Sequence, residues 1–164
     1  MKRRIALQVI AAAPAVARLE AADAPRFFAA NEYATIASLC QSIIPPDETS
    51  GGAIEAKAPE LIDLLASENP RYATQLREGI AWLDETCRKQ FSRAYLDCAP
   101  AEQRQMLDQM AYRGKGPANA TAFFALLRDL TLAGYFTSEI GMKYVGYVGN
   151  HHLLEFPGCP PIPD

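Results

Sequence analysis

From Tyr33 to about Leu130 the apolar residues recur at steps of three and four, and few segments alternate with period two. Residues three and four apart share one face of a helix, so this chain can bury its apolar side chains as helices and not as a sheet. Tyr33, Ile36, Leu39, Cys40, Ile43 and Ile44 form the first stripe. Asn31 is its expected N-cap, and Pro45-Pro46 ends it because neither proline can donate a helical hydrogen bond. The breakers in Pro45-Pro-Asp-Glu-Thr-Ser-Gly-Gly52 predict a loop. Pro59 suits the first turn of a second helix carrying Leu61, Ile62, Leu64 and Leu65.

The longest helix is expected from Pro70 to about Tyr95, with Tyr72, Leu76, Ile80, Leu83, Cys87, Phe91 and Ala94 as its buried stripe. Gly79 weakens it by about 1 kcal/mol relative to Ala, unless the missing side chain admits a neighbouring backbone. Pro100 opens another helix with Met106, Leu107 and Met110, which should stop at Gly114-Lys-Gly-Pro117. A fifth begins after Asn119 and buries Phe123, Phe124, Leu127 and Leu130, with Gly134 ending or bending it. Ser138 to Val145 reads as a shorter helix. Pro157, Pro160, Pro161 and Pro163 exclude regular structure near the C-terminus. The expected fold is all-α, a compact bundle of about five to six helices with an extended Pro-rich C-terminal tail. Residues 1–24 read as a signal segment, 25–150 as the helical domain and 151–164 as the tail.

Hydrophobic residues make up 49% and charged residues 21% of 164, enough for one domain with a core and outside the range of disordered chains. The net charge is −3 and no basic patch recurs on a face, which argues against a nucleic-acid partner. No apolar run reaches the length of a membrane span. At the N-terminus, Lys2-Arg3-Arg4 precedes a short Ala-rich apolar stretch ending Ala15-Val16-Ala17, and no acid occurs before Glu20. These are the parts of an export signal, and the adjacent Arg3 and Arg4 lean towards the twin-arginine route; the competing reading is an amphipathic first helix.

Equipment for catalysis is scarce. The two histidines, His151 and His152, are adjacent, and neighbouring side chains in extended chain point apart, so they cannot easily grip one metal ion. There is no G-x-G-x-x-G, no Walker loop and no C-x-x-C. Asp129 and Glu139 lie near helix ends, where capping and the helix dipole account for them. Cys40 and Cys87 fall on apolar helix faces as buried thiols. Trp82 either widens a core face or serves as an exposed aromatic anchor for a partner. These residues describe a helical domain with no catalytic, cofactor-binding or metal-binding residue to name.

Several blocks in order carry a resemblance. Asn31-Glu-Tyr-Ala-Thr-Ile-Ala-Ser-Leu-Cys-Gln-Ser-Ile-Ile-Pro-Pro-Asp47, followed by Gly52-Ala53, is similar to the opening of the gluconate 2-dehydrogenase subunit 3 family. Phe123-Phe-Ala-Leu-Leu-Arg-Asp-Leu-Thr-Leu-Ala-Gly-Tyr-Phe-Thr-Ser-Glu-Ile-Gly141 resembles its later signature, and Tyr147-Val-Gly-Asn150 and Pro157-Gly-Cys-Pro160 also fit. The resemblance spans about residues 27–160. It implies a helical, non-catalytic small subunit, without a cofactor of its own, beside a large FAD-containing subunit of the glucose-methanol-choline type and often a cytochrome c subunit. Such complexes oxidise sugars or sugar acids outside the cytoplasm, and the small subunit often carries the twin-arginine signal, aiding export, folding or stability of its partner. Two other classes stay open: a stand-alone enzyme using His151 or His152, and a stand-alone helical ligand- or metal-binding module.

The tail contains Phe156, Ile162 and Cys159, which are costly to leave in water, and Pro-rich chain loses little entropy on docking. A partner surface is its expected destination, with folding back over the bundle as the rival. Cys159 then stays free, pairs with Cys98, or links to the large subunit. Trp82, Phe156 and Cys159 are therefore the candidate partner contacts.

Overall fold

The computed structural model of the chain describes residues 25–112 and 116–149. Among these residues there are seven α-helices and no strand: α1 (Ala30–Ile43), α2 (Gly52–Glu55), α3 (Ala58–Glu68), α4 (Pro70–Phe91), α5 (Pro100–Ala111), α6 (Ala118–Thr137) and α7 (Glu139–Tyr144). A 3-10 turn over Tyr95–Asp97 separates α4 from α5. The all-α bundle read from the periodicity is the fold; the tail (151–164) lies outside the described residues, as do the expected signal segment with Arg3 and Arg4, and His151, His152, Phe156 and Cys159.

The centre of the bundle is α6, which packs against every other helix. A helix touched on all sides must be apolar nearly all round, and α6 buries Ala120, Phe123, Leu127, Leu130, Thr131, Gly134 and Tyr135. Thr131 enters this core without an orphaned hydroxyl. Its Oγ1 donates to the Leu127 carbonyl at 2.7 Å and lies 3.3 Å from the Cys40 sulfur. Around α6 the other stripes converge: Ile36 and Leu39 from α1, Ile62 and Ala66 from α3, Leu76, Ile80, Leu83 and Cys87 from α4, and Met106 and Met110 from α5.

Several local expectations need correction. α1 starts at Ala30 rather than after Asn31, because the Glu32 carboxylate reaches back to accept the Ala29 N–H at 2.9 Å. The segment read as a loop to Gly52 passes directly into α2. α4 stops at Phe91, four residues short of Tyr95, because Ser92 takes a left-handed conformation (φ 60°) and reverses the chain. Gly79 admits an aromatic ring and not a backbone: a Cβ there would lie 2.1 Å from ring carbons of Phe123. Gly134 does not end α6, which runs on to Thr137 with Gly134 buried against Ala58 of α3. Leu61 and Leu64 are only partly buried; Ile62, Asp63 and Ala66 take the inner face of α3.

Asp63 is buried because three consecutive backbone N–H groups converge on it. Those of Arg26, Phe27 and Phe28 donate to its carboxylate at 2.5, 3.1 and 3.0 Å. A buried carboxylate is tolerated where such donors replace water. Arg77 of α4 stacks over the Phe27 ring at 3.9 Å and donates to the Phe27 carbonyl at 3.0 Å, closing the clasp from the other side.

Candidate interaction face

The sequence blocks at 31–53 and 123–141 meet in space at one corner of the bundle. After α1, the Asp47 carboxylate organises the turn: its Oδ1 accepts from the Thr49 N–H and hydroxyl, both at 2.7 Å, and from the Ser50 N–H at 2.8 Å. The Thr49 hydroxyl, the Thr49 N–H and the Ser50 N–H all favour the ionised form and hold the Asp47 carboxyl below its ordinary pKa. Gly52 then turns the chain with φ 74°, a conformation costly for residues with a Cβ, and the Ala53 N–H closes the turn onto the Ile44 carbonyl at 3.0 Å.

This turn presents Ser50 to α6, where its hydroxyl hydrogen-bonds the hydroxyl of Tyr135. Tyr135 is thus the joint between residues 85 positions apart in sequence. Its ring meets Phe136 edge-on at 5.1 Å and Tyr144 at 6.2 Å. One residue beyond α6, the Ser138 hydroxyl oxygen accepts the Gly141 N–H at 3.1 Å and so caps α7. Gly141 allows α7 to fold back onto the end of α6: a Cβ there would lie 2.0 Å from the Tyr135 carbonyl oxygen. Gly134, Tyr135, Ser138 and Gly141 of this block therefore each have an architectural task.

What this corner offers outward is apolar. Phe136, Tyr144, Val145, Tyr147 and Val148 are all exposed, Val148 to 78%. Beside them a cleft of about 660 Å3 opens between the turn and α7, lined by Thr49, Ser50, Gly51, Glu55, Ile140, Lys143 and Tyr144. Several large apolar residues exposed within so short a stretch mark an interaction site more often than a scatter of single residues does. Among the described residues that line the cleft, Glu55 supplies a carboxylate and Lys143 an amine.

Of the residues singled out from the sequence, Trp82 is partly buried and packs against the core. Its backbone carbonyl accepts the Thr86 hydroxyl at 2.7 Å. Cys98 is buried, as are Cys40 and Cys87, and all three are free thiols. The Cys98–Cys159 pairing and the contacts of Phe156 and Cys159 fall outside the described residues. The exposed group at 136–148 was missed at the level of sequence, although four large apolar residues between 144 and 148, beyond the end of α6, were its visible signal. Among the described residues no three His, Cys, Asp or Glu side chains gather to hold a metal ion, and no helix is long and apolar enough to cross a membrane.

No solved structure and no curated protein matches the chain. A family model for gluconate 2-dehydrogenase subunit 3 matches residues 30–158, from the first residue of α1 to beyond the exposed corner. With both motif blocks inside that span and joined at Ser50 and Tyr135, the chain belongs to the gluconate 2-dehydrogenase subunit 3 family.

Proposed function

We propose that this chain is the non-catalytic small subunit of an exported, FAD-dependent dehydrogenase of the glucose-methanol-choline type, acting on a sugar or sugar acid. FAD belongs to the large partner subunit, a cytochrome c subunit accepts the electrons where one is present, and the complex works in the periplasm. The observation that carries this reading is the family match over most of the chain, since the family is one of dehydrogenase subunits. The exposed corner adds a physical reason. Phe136, Tyr144, Val145 and Val148 expose apolar surface there, which suits burial against a folded partner. Docking there supports the folding and stability of the flavoprotein, and the Arg3-Arg4 segment would carry both through the twin-arginine route.

The test is co-expression of the full chain with the flavoprotein dehydrogenase of its own gene cluster. The two should co-purify with flavin in the large subunit only, and the small chain alone should show no flavin absorbance and no dye-linked sugar oxidation. A flavin spectrum on the isolated chain, or failure of the two proteins to associate, overturns the reading.

A further inference from the structure

Cys87 and Cys98 are eleven positions apart, and the fold brings their side chains together. Cys87 sits in the last turns of α4 with no exposure, and Cys98 follows the 3-10 turn at 6% exposure; both belong to the core. The chain between them reverses at Ser92, whose left-handed conformation turns it back along the helix it has just left. Two hydrogen bonds fix the return. The Tyr95 N–H donates to the Asp84 carboxylate of α4 at 3.1 Å, and Gln103 of α5 donates to the Tyr95 carbonyl at 3.0 Å. Tyr95, fully buried, anchors the reversal beneath. The result places Cys98 in the same buried core as Cys87, near enough for the two thiols to influence each other, while the Cys98 sulfhydryl donates to the Ala94 carbonyl at 3.3 Å. Cys40 is elsewhere in the core, against Thr131.

We propose that Cys87 and Cys98 form an intrachain disulfide when the chain meets a disulfide oxidant, closing the loop of residues 87–98. This pairing takes the place of the Cys98–Cys159 bridge considered from the sequence. Placement decides the order of events. Burial, and then the neighbouring Cys98, push the Cys87 thiol up to about 12, so Cys87 holds its proton in the closed fold. Cys98, the less buried of the two, attacks a sulfur of the oxidant as its thiolate, for example oxidised glutathione, releasing one glutathione thiolate and forming a mixed disulfide. Cys87 then gives up its proton and displaces the second glutathione from Cys98. Two thiols are oxidised, one glutathione disulfide is reduced to two thiols, and two protons move to solvent or to the departing thiolates. The geometry of this hairpin chooses the partners, and an oxidising environment supplies the oxidant.

The full chain is refolded in a glutathione redox buffer, its remaining thiols are blocked with N-ethylmaleimide, and its bridges are mapped by digestion and mass spectrometry without reduction. The expected main product is a peptide pair joined through Cys87 and Cys98, and it should persist in Cys159→Ser. The bridged form should melt about 5–10 °C above the reduced form, as closure of a loop this short predicts. Blocked thiols at both Cys87 and Cys98, or a bridge from Cys98 to Cys159 or Cys40, overturns the proposal.

Discussion

The seam between α4 and α6 and the corner between α6 and α7 use the same residue types to opposite ends. At the seam, the absent side chain of Gly79 leaves room for the ring of Phe123, and the aromatic group disappears into the core. At the corner, the absent side chain of Gly141 leaves room for a carbonyl, α7 folds back, and Tyr144 and its neighbours are turned out to solvent. A glycine beside an aromatic residue thus does not by itself say whether the ring is buried. The deciding factor is what the helix meets next: α4 runs alongside α6 for several turns, whereas α7 is six residues long and can cover only the end of α6. A sustained interface removes apolar area from water on both sides, and a single short turn leaves much of it for another molecule.

Substitutions at the two regions should therefore part company in what they damage. Phe123→Ala should have the largest effect on the fold, lowering stability by about 3–5 kcal/mol through the cavity left against Gly79; urea denaturation measures it, and a wild-type midpoint would show that the seam is not the core. Tyr135→Phe should cost about 0.5–1.5 kcal/mol by removing the hydroxyl that meets Ser50. Its signature is local: amides of residues 47–53 should exchange faster while those of α4 keep their protection. Uniform loss of protection would mean that the corner and the seam unfold as one. Val148→Ser should change stability by less than about 0.5 kcal/mol, since the residue is 78% exposed, yet weaken co-purification with the flavoprotein. Unchanged association would remove Val148 from the docking face.

The seam was legible in the sequence because its physics is periodic. Leu76, Ile80, Leu83 and Cys87 on one helix and Phe123, Leu127 and Leu130 on the other repeat at helical spacing, and each is buried. What could not be read there was the partner of Gly79, since periodicity places a residue on a face and says nothing about what crosses it. The corner was half legible. Ser138 as a cap and the helix after it follow from local rules, but Gly134 looked like a terminator because an isolated glycine near a helix end usually is one. Only its contact with Ala58 on α3, a tertiary fact, explains why α6 continues. The bond between Ser50 and Tyr135 lay beyond any window of periodic reading. So did Asp63, whose three donors come from a segment with no helical pattern.

The position of α6 has a consequence for how the chain is made. Every other helix rests on α6, yet residues 118–137 leave the ribosome only after α1 to α5 have been synthesised. At ordinary elongation speeds, about 5–20 residues per second, the stripe of α1 waits some 5–20 s for the surface that covers it. During that interval Ile36, Leu39, Ile62, Leu76 and Leu83 lack their common neighbour, and their apolar stripes stay open to water. Completion of the core is therefore a late event in synthesis, and truncation before residue 118 should yield a chain that collapses without settling into one structure.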